Sequence, residues 1–412
     1  MNAMRLRVFV VFALGYFVSY LFRDVNVGLA PLLTHDLGLS AADVGTVTSL
    51  YFLGFAGAQI PGGILLDYFG PRRATAFIML LAAVGIFVFG SAHSLATVMI
   101  GRLLIGIGVS VCLSGAFKAT AEHYDVSQLP LVNGFIMAIG GLGGVAVGSP
   151  LSWLLSITGW RAICSGLAVF TIVVALIIVA FGPPHRRAAR QRTSLAAQIG
   201  GTWEILCSGA FWKIACFSAL SLAVFNAMQS LWVGAFLRDV VMAGAPDASA
   251  RVASLVSILG LAFIAGNIGF GALARALERK GVPTHVFSGV LMMTFIAVQA
   301  VIILRVPLPE TLLWSIYGAL GGAGILTFTV LAERFPVHMV GRANTTFNLL
   351  IFLLVFGLQV LIGAAFGHWQ PHDGHYPLAA HRSIWVTLIA AQLAAAVWYF
   401  MPARQRQTAM QA

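Results

Sequence analysis

The stretch GGILLDYFGPRR, residues 62–73, sets one acid, two flanking glycines and a pair of arginines between two long apolar runs. The runs, 43–66 and 74–92, each approach the ~20 residues that cross a bilayer core ~30 Å thick. Gly63 and Gly70 permit close helix approach and a tight reversal. Asp67 falls at the end of the first run, where it can face arginines or a neighbouring helix N-terminus. The stretch therefore reads as a short loop joining two antiparallel membrane helices.

The rest of the chain follows the same plan. Its 412 residues are 59% hydrophobic and 9% charged, with mean hydropathy +0.93. A soluble domain carries about 25% charged residues, so a water-exposed fold is excluded, as are disorder and disulfide scaffolds. The net charge of +11 invites a nucleic-acid reading, but Lys118, Lys213 and Lys280 are the sole lysines and the arginines lie singly or in pairs between apolar runs. No nucleic-acid partner is expected.

Apolar runs of spanning length occur at 8–33, 43–66, 74–92, 95–118, 131–156, 161–182, 210–237, 252–274, 284–304, 309–332, 341–367 and 379–401. The fold class expected is thus all-α and integral to the membrane, with twelve transmembrane helices. With the N-terminus inside, 17 basic residues fall on the inner face and 5 on the outer. That bias predicts a multi-pass protein of the cell (inner) membrane with both termini cytoplasmic.

The longest connection, 183–209, carries Pro183, Pro184 and a basic run, and divides the chain into a six-helix half at 1–182 and another at 210–412. The halves resemble each other: AEHYDVSQLPLVN (121–133) lies over AERFPVHMVGRAN (332–344). Parallel six-span repeats are an architecture of secondary transporters, whose site lies between the repeats. Gly63, Asp67, Gly70, Arg72 and Arg73, at this spacing and loop position, resemble the signature loop of the major facilitator superfamily (MFS). Arg102, Gly106 and Gly108 in GRLLIGIG and the GWR at 159–161 are similar to further motifs of that family. The resemblance implies two halves related by a pseudo-two-fold axis, and a gate formed by Gly63, Asp67, Gly70, Arg72 and Arg73. Glu122 and Glu333, equivalent in the two halves, are expected to join that gate.

Charge inside a span costs roughly 3 kcal/mol or more, so Arg23 and Asp24 should face a wet cavity or a partner. Tyr16, Ser19, Tyr20, Arg23 and Asn26 recur at three- and four-residue spacings and draw one polar stripe. A guanidinium on such a stripe suits a carboxylate or phosphate. The stretch SYLFRDVNVGLAP (19–31) also resembles the first span of organophosphate:phosphate antiporters, which implies an anion-binding role for Arg23. The seventh span offers Asn226, Gln229 and Trp232 in place of a second arginine, which fits a monoanion or zwitterion better than a dianion. Arg23, Tyr20, Asn26, Asn226, Gln229 and Trp232 are the expected substrate-binding residues, Arg23 alternatively being neutralised by Asp24 or another acid.

Asp24 is the one carboxylate placed away from the ends of a span, and with Arg102 it forms the expected proton-coupling pair, Arg102 alternatively being a structural donor to backbone carbonyls. Gly140, Gly141 and GGVAVGSP (143–150) read as helix packing, and Asn133 and Asn344 as helix caps. His368, His372, Asp373, His375 and His381 read as a histidine-rich outer loop, with a metal site as the lesser alternative. No phosphate-binding loop, catalytic triad or dinucleotide fingerprint occurs, so neither an enzyme nor a cofactor is expected. The function expected is secondary active transport of a small anionic or zwitterionic solute, as a proton symporter acting as a monomer in the lipid bilayer. The alternative is a proton-driven drug or siderophore efflux pump.

Overall fold

The computed structural model describes residues 3–125, 128–184, 195–335, 337–372 and 374–401. Ten helical stretches among them are long and apolar enough to cross a membrane. The bent pair α6 (Leu129–Ala146) and α7 (Ser149–Ile157) passes the same test as one broken span. The first span divides into α1 (Ala3–Asp24) and α2 (Asn26–Leu37), and α3 (Ala41–Gly90) begins at a capping box in which Ser40 and Asp43 bond reciprocally.

At fifty residues α3 would be ~75 Å long if straight. It is not straight. Gly54 packs on Leu103 and Gly85 on Ile105, so residues thirty-one apart lie at one level beside α4 (Leu95–Val109). The reversal is at Gly70, whose φ of 78° and ψ of 164° form a backbone conformation essentially restricted to glycine. Gly63 does not provide the close approach expected of it, because a Cβ there would meet nothing within 4 Å. Its neighbour Gly62 does, since a Cβ there would stand 2.3 Å from a Val111 methyl.

The first half continues through α5 (Cys112–His123) and α8 (Trp160–Phe181). Part of the connecting segment is helical, as α9 (Leu195–Leu206), while the basic run at 185–194 lies outside the described residues. In the second half α10 (Gly209–Ala227) passes into a π-turn at Met228–Trp232, then α11 (Val233–Phe236) and a second π-turn at Leu237–Val241. There follow α12 (Ala248–Glu278), α13 (Thr284–Ile303), α14 (Glu310–Gly322), α15 (Ile325–Arg334), α16 (Val337–Phe366) and α17 (Leu378–Phe400). Phe77, Trp153, Ile157, Leu176 and Leu361, each more than half exposed, belong to the lipid-facing surface that such a fold requires.

The halves meet along a seam at the face opposite the termini. Gly45 of α3 lies against the Gln359 carbonyl and Gly363 of α16, and Gly148, at the α6–α7 break, lies against Ser257 and Ala253 of α12. Ser257 Oγ accepts from the Ser149 amide at 2.8 Å and donates to the Val145 carbonyl at 3.2 Å, so the second half satisfies backbone groups freed where the first half's helix breaks. The glycines of 140–148 thus face both ways. Gly140 and Gly143 fit Tyr16 and the Phe17 carbonyl of α1, while Gly141 and Gly148 fit α12. Asn133 and Asn344 are not caps, because both sit inside helices. Asn133 Oδ1 instead accepts from Thr120 Oγ1 at 2.8 Å, tying α5 to α6.

Candidate functional site

Between the halves, on the terminal side of that seam, lies a cavity whose empty space, open solvent included, is about 940 Å³. It is lined from α1, α3, α5, α6, α10, α12, α15 and α16, and aromatic rings of Tyr16, Tyr20, Tyr51, Phe225, Phe263 and Phe352 make much of its wall. The seam closes one end, and the cavity lies toward the face carrying both termini. The conformation is therefore open toward that face.

Arg23 is the single charged side chain in the described lining. It is 8% exposed, its guanidinium stacks 3.6 Å from the Tyr20 ring centre, and its Nε donates to Asp24 Oδ1 at 3.2 Å. Its Nη2 is buried without a hydrogen-bond partner. Asp24 itself lies behind the lining, 2% exposed, and its Oδ2 accepts from Gln229 Nε2 at 3.3 Å.

The break in the first span leaves carbonyls without helical donors, and arginines take them. Arg102, wholly buried, donates through Nη1 to the Phe22 carbonyl at 2.9 Å, while its Nε and Nη2 have no partner. Pro31 has no N–H to offer the Val27 carbonyl, which accepts from Arg238 Nη1 at 3.4 Å. Arg102 faces the Tyr51 ring at 5.1 Å and does not line the cavity.

The expected binding residues separate into two groups. Arg23, Tyr20 and Asn226 line the cavity, with Tyr16 and Ser19 of the same stripe. Asn26 does not. It follows the break at Val25, is fully buried, and donates to Thr48 Oγ1 at 2.8 Å inside the first half. Trp232 is likewise withdrawn, donating to Gln359 Oε1 at 2.6 Å and stacking on Phe366. Gln359 Nε2 also donates to the Ala227 carbonyl and to Ser230 Oγ, so it holds the π-turn that carries Gln229. Gln59, Ser110, Ser114, Asn267 and Asn348 add to the polar lining and were not singled out from sequence. Asn267 and Asn348 stand inside apolar spans, and that intramembrane polarity was the available signal.

At the terminal face, Asp67 pairs with Lys118 Nζ at 2.6 Å, and the same ammonium donates to the Leu66 carbonyl at 2.8 Å. The pair is wholly within the first half and involves neither Arg72 nor Arg73. Glu333 is exposed near the end of α15, and Glu122 is partly buried in the last turn of α5. At the opposite face the GWR motif anchors the first span. Asp36 accepts from Trp160 Nε1 at 2.8 Å and from Arg161 Nη1 at 3.0 Å. With a further bond to His35, these hold its carboxyl down at about 2. His375 Nδ1 and His381 Nε2 bond the two oxygens of Asp239 at 3.1 and 3.0 Å. Among the described residues no His, Cys, Asp and Glu group is placed to hold a metal, and Asp373 lies outside them.

A family model described as Major Facilitator Superfamily matches residues 12–358. The probable sulfoacetate transporter SauU of Cupriavidus necator is 29% identical over 152 residues, 37% of this chain and 35% of that protein. The nitrite extrusion protein of Bacillus subtilis is 24% identical over 257 residues, 62% of each chain. The chain therefore aligns with less than two thirds of the length of either relative. Among solved structures, a bacterial homolog of the human lysosomal transporter Spinster, in an inward-facing and occupied conformation, superposes with a TM-score of 0.72. It is 19% identical, with 97% of both chains covered.

Proposed function

Since this chain belongs to the major facilitator superfamily, we propose that it carries a small organic monoanion or zwitterion across the membrane by alternating access, coupled to protons. The observation that carries the reading is Arg23: a lone cation in the cavity lining, with Nη2 unpartnered. One guanidinium with carboxamides and hydroxyls around it suits one carboxylate or sulfonate on a solute whose remainder contacts Tyr20, Asn226 and the aromatic wall. The names of the two relatives, for sulfoacetate and nitrite, support an anionic cargo.

Asp24 supplies the coupling. It shares Arg23 with the incoming anion, so protonating Asp24 frees the guanidinium and raises anion affinity, and by linkage the bound anion favours the proton. Arg102 contributes a second buried positive charge nearby and tempers the carboxylate without touching solute. The Asp67–Lys118 pair and Gly63 belong to the gate at the terminal face. In the open state Gly63 faces empty space that the second half fills on closure. The bias of basic residues toward this face supports a cytoplasmic location for it and for both termini, and both halves of the cavity coming from one chain supports a monomer. Uptake of sulfoacetate, gluconate and nitrite into proteoliposomes, with and without an imposed pH gradient, tests this. Gradient-driven accumulation by wild type, lost in Asp24→Asn while counterflow exchange persists, is the expected result. Equal accumulation by both overturns the coupling role.

A further inference from the structure

We propose that Gln229 is a positioning residue that follows the protonation state of Asp24 across the interface between the halves. The inference rests on the reading of Asp24 as the proton-carrying group.

Five elements surround Asp24. Its own helix supplies Arg23 on Oδ1 and the Tyr20 ring, α4 supplies Arg102, and α3 supplies Tyr51. The fifth span offers only Gly144, where a Cβ would stand 3.0 Å from Oδ2. The second half reaches Asp24 through Gln229, whose Nε2 lies 3.3 Å from Oδ2. This hydrogen bond, from a neutral amide to the carboxylate, crosses between the halves.

Gln229 carries both kinds of hydrogen-bonding group, and its amide is already bonded to Asp24. Its Oε1 is buried without a partner in the present arrangement. The NH2 group serves a carboxylate, and a half-turn about the last side-chain bond brings Oε1 to serve the O–H of a carboxylic acid. An arginine cannot do this, because it only donates. Gln229 therefore lets Asp24 stay satisfied in the proton-loaded and proton-empty carrier alike. Its place is fixed by the π-turn, whose Ala227 carbonyl and Ser230 hydroxyl are bonded by Gln359 of α16. Proton occupancy at span 1 is thus read by the two second-half spans that move against it.

The test uses the full chain in lipid nanodiscs without any solute. The four native cysteines are replaced, and spin labels are placed at His93→Cys, in the α3–α4 loop, and Ser249→Cys, in the first turn of α12, both exposed and one on each half. The distance distribution is followed from pH 4.5 to 9. In wild type the balance of states changes with pH, and in Asp24→Asn it does not. Gln229→Met removes the donor that favours the carboxylate, so the midpoint moves up by about one pH unit, tenfold in proton affinity. Gln229→Glu, of the same size, also moves it up, because two carboxyls sharing a site retain a proton. A wild-type midpoint in whichever of these variants folds overturns the role of Gln229 alone. Identical curves for wild type and Asp24→Asn overturn the reading of Asp24, and this proposal with it.

Discussion

Adding one methyl group at Gly148 should drive the transporter toward the state open opposite its termini. A Cβ at this position would lie 2.2 Å from Ser257 Oγ, 2.5 Å from the Ala253 carbonyl and 2.7 Å from the Ser257 amide. Ordinary contact begins near 3.4 Å, so α12 must retreat by about 1 Å, and two of the three obstacles are backbone that cannot rotate aside. The retreat also lengthens the bonds from Ser257 to Ser149 and Val145 that close the seam. Overpacking of this kind costs about 1–3 kcal/mol, and the cost falls only on the closed seam. The equilibrium between the two states of Gly148→Ala should then shift by about 5- to 150-fold. Spin-label distances across the seam in nanodiscs measure it directly. Gly134→Ala, in α6 of the same broken span, where a Cβ meets nothing within 4 Å, is the control and should match wild type. A Gly148→Ala distribution identical to wild type would refute the seam as the barrier that closes this face.

Two further predictions concern the connections. Gly70→Ala forces a side chain into a backbone region that only glycine occupies readily, and should cost about 1–3 kcal/mol, read as a lower unfolding temperature in detergent; an unchanged temperature would contradict the reversal at Gly70. Asp36 has its carboxyl held at about 2, below its ordinary value of 3.8, so its bonds to Trp160 and Arg161 stabilise the fold above about pH 4 and are lost as pH falls through 2. The stability difference between wild type and Asp36→Asn should accordingly be present at pH 7 and shrink below pH 4, and a difference independent of pH would contradict it.

The helical plan was legible because hydropathy and charge are segregated along the chain: the loop at 62–73 announced two antiparallel spans, and Arg23 announced the cavity. What sequence could not give was the phase of a helix after a break. A continuous helix would carry Asn26 onto the same stripe as Tyr20 and Arg23, but the interruption at Val25 turns it to Thr48. The π-turn at Met228–Trp232 has the same consequence for the seventh span, where Gln229 turns to Asp24 and Trp232 to Gln359. Nor does spacing reveal long-range pairing. Asp67 stands near Arg72 and Arg73 in sequence and bonds Lys118, fifty-one residues away. The glycines that matter for close approach were read at Gly63, whereas the tight contact is one residue earlier, because only the path of α4 and α5 decides which glycine meets a neighbour.

The central claim is that Arg23 holds the anionic group of the solute, and one measurement bears on it most directly. Saturable counterflow exchange of sulfoacetate and gluconate, which persists without Asp24, is compared between wild type and Arg23→Gln in proteoliposomes with matched protein incorporation, each also in the Asp24→Asn background so that no carboxylate is left without its cation. Loss of a charge-assisted bond worth about 1.5–3 kcal/mol predicts a half-saturating concentration raised by about 10- to 150-fold in both backgrounds. Anion uptake with the same half-saturation in wild type and Arg23→Gln would contradict the account.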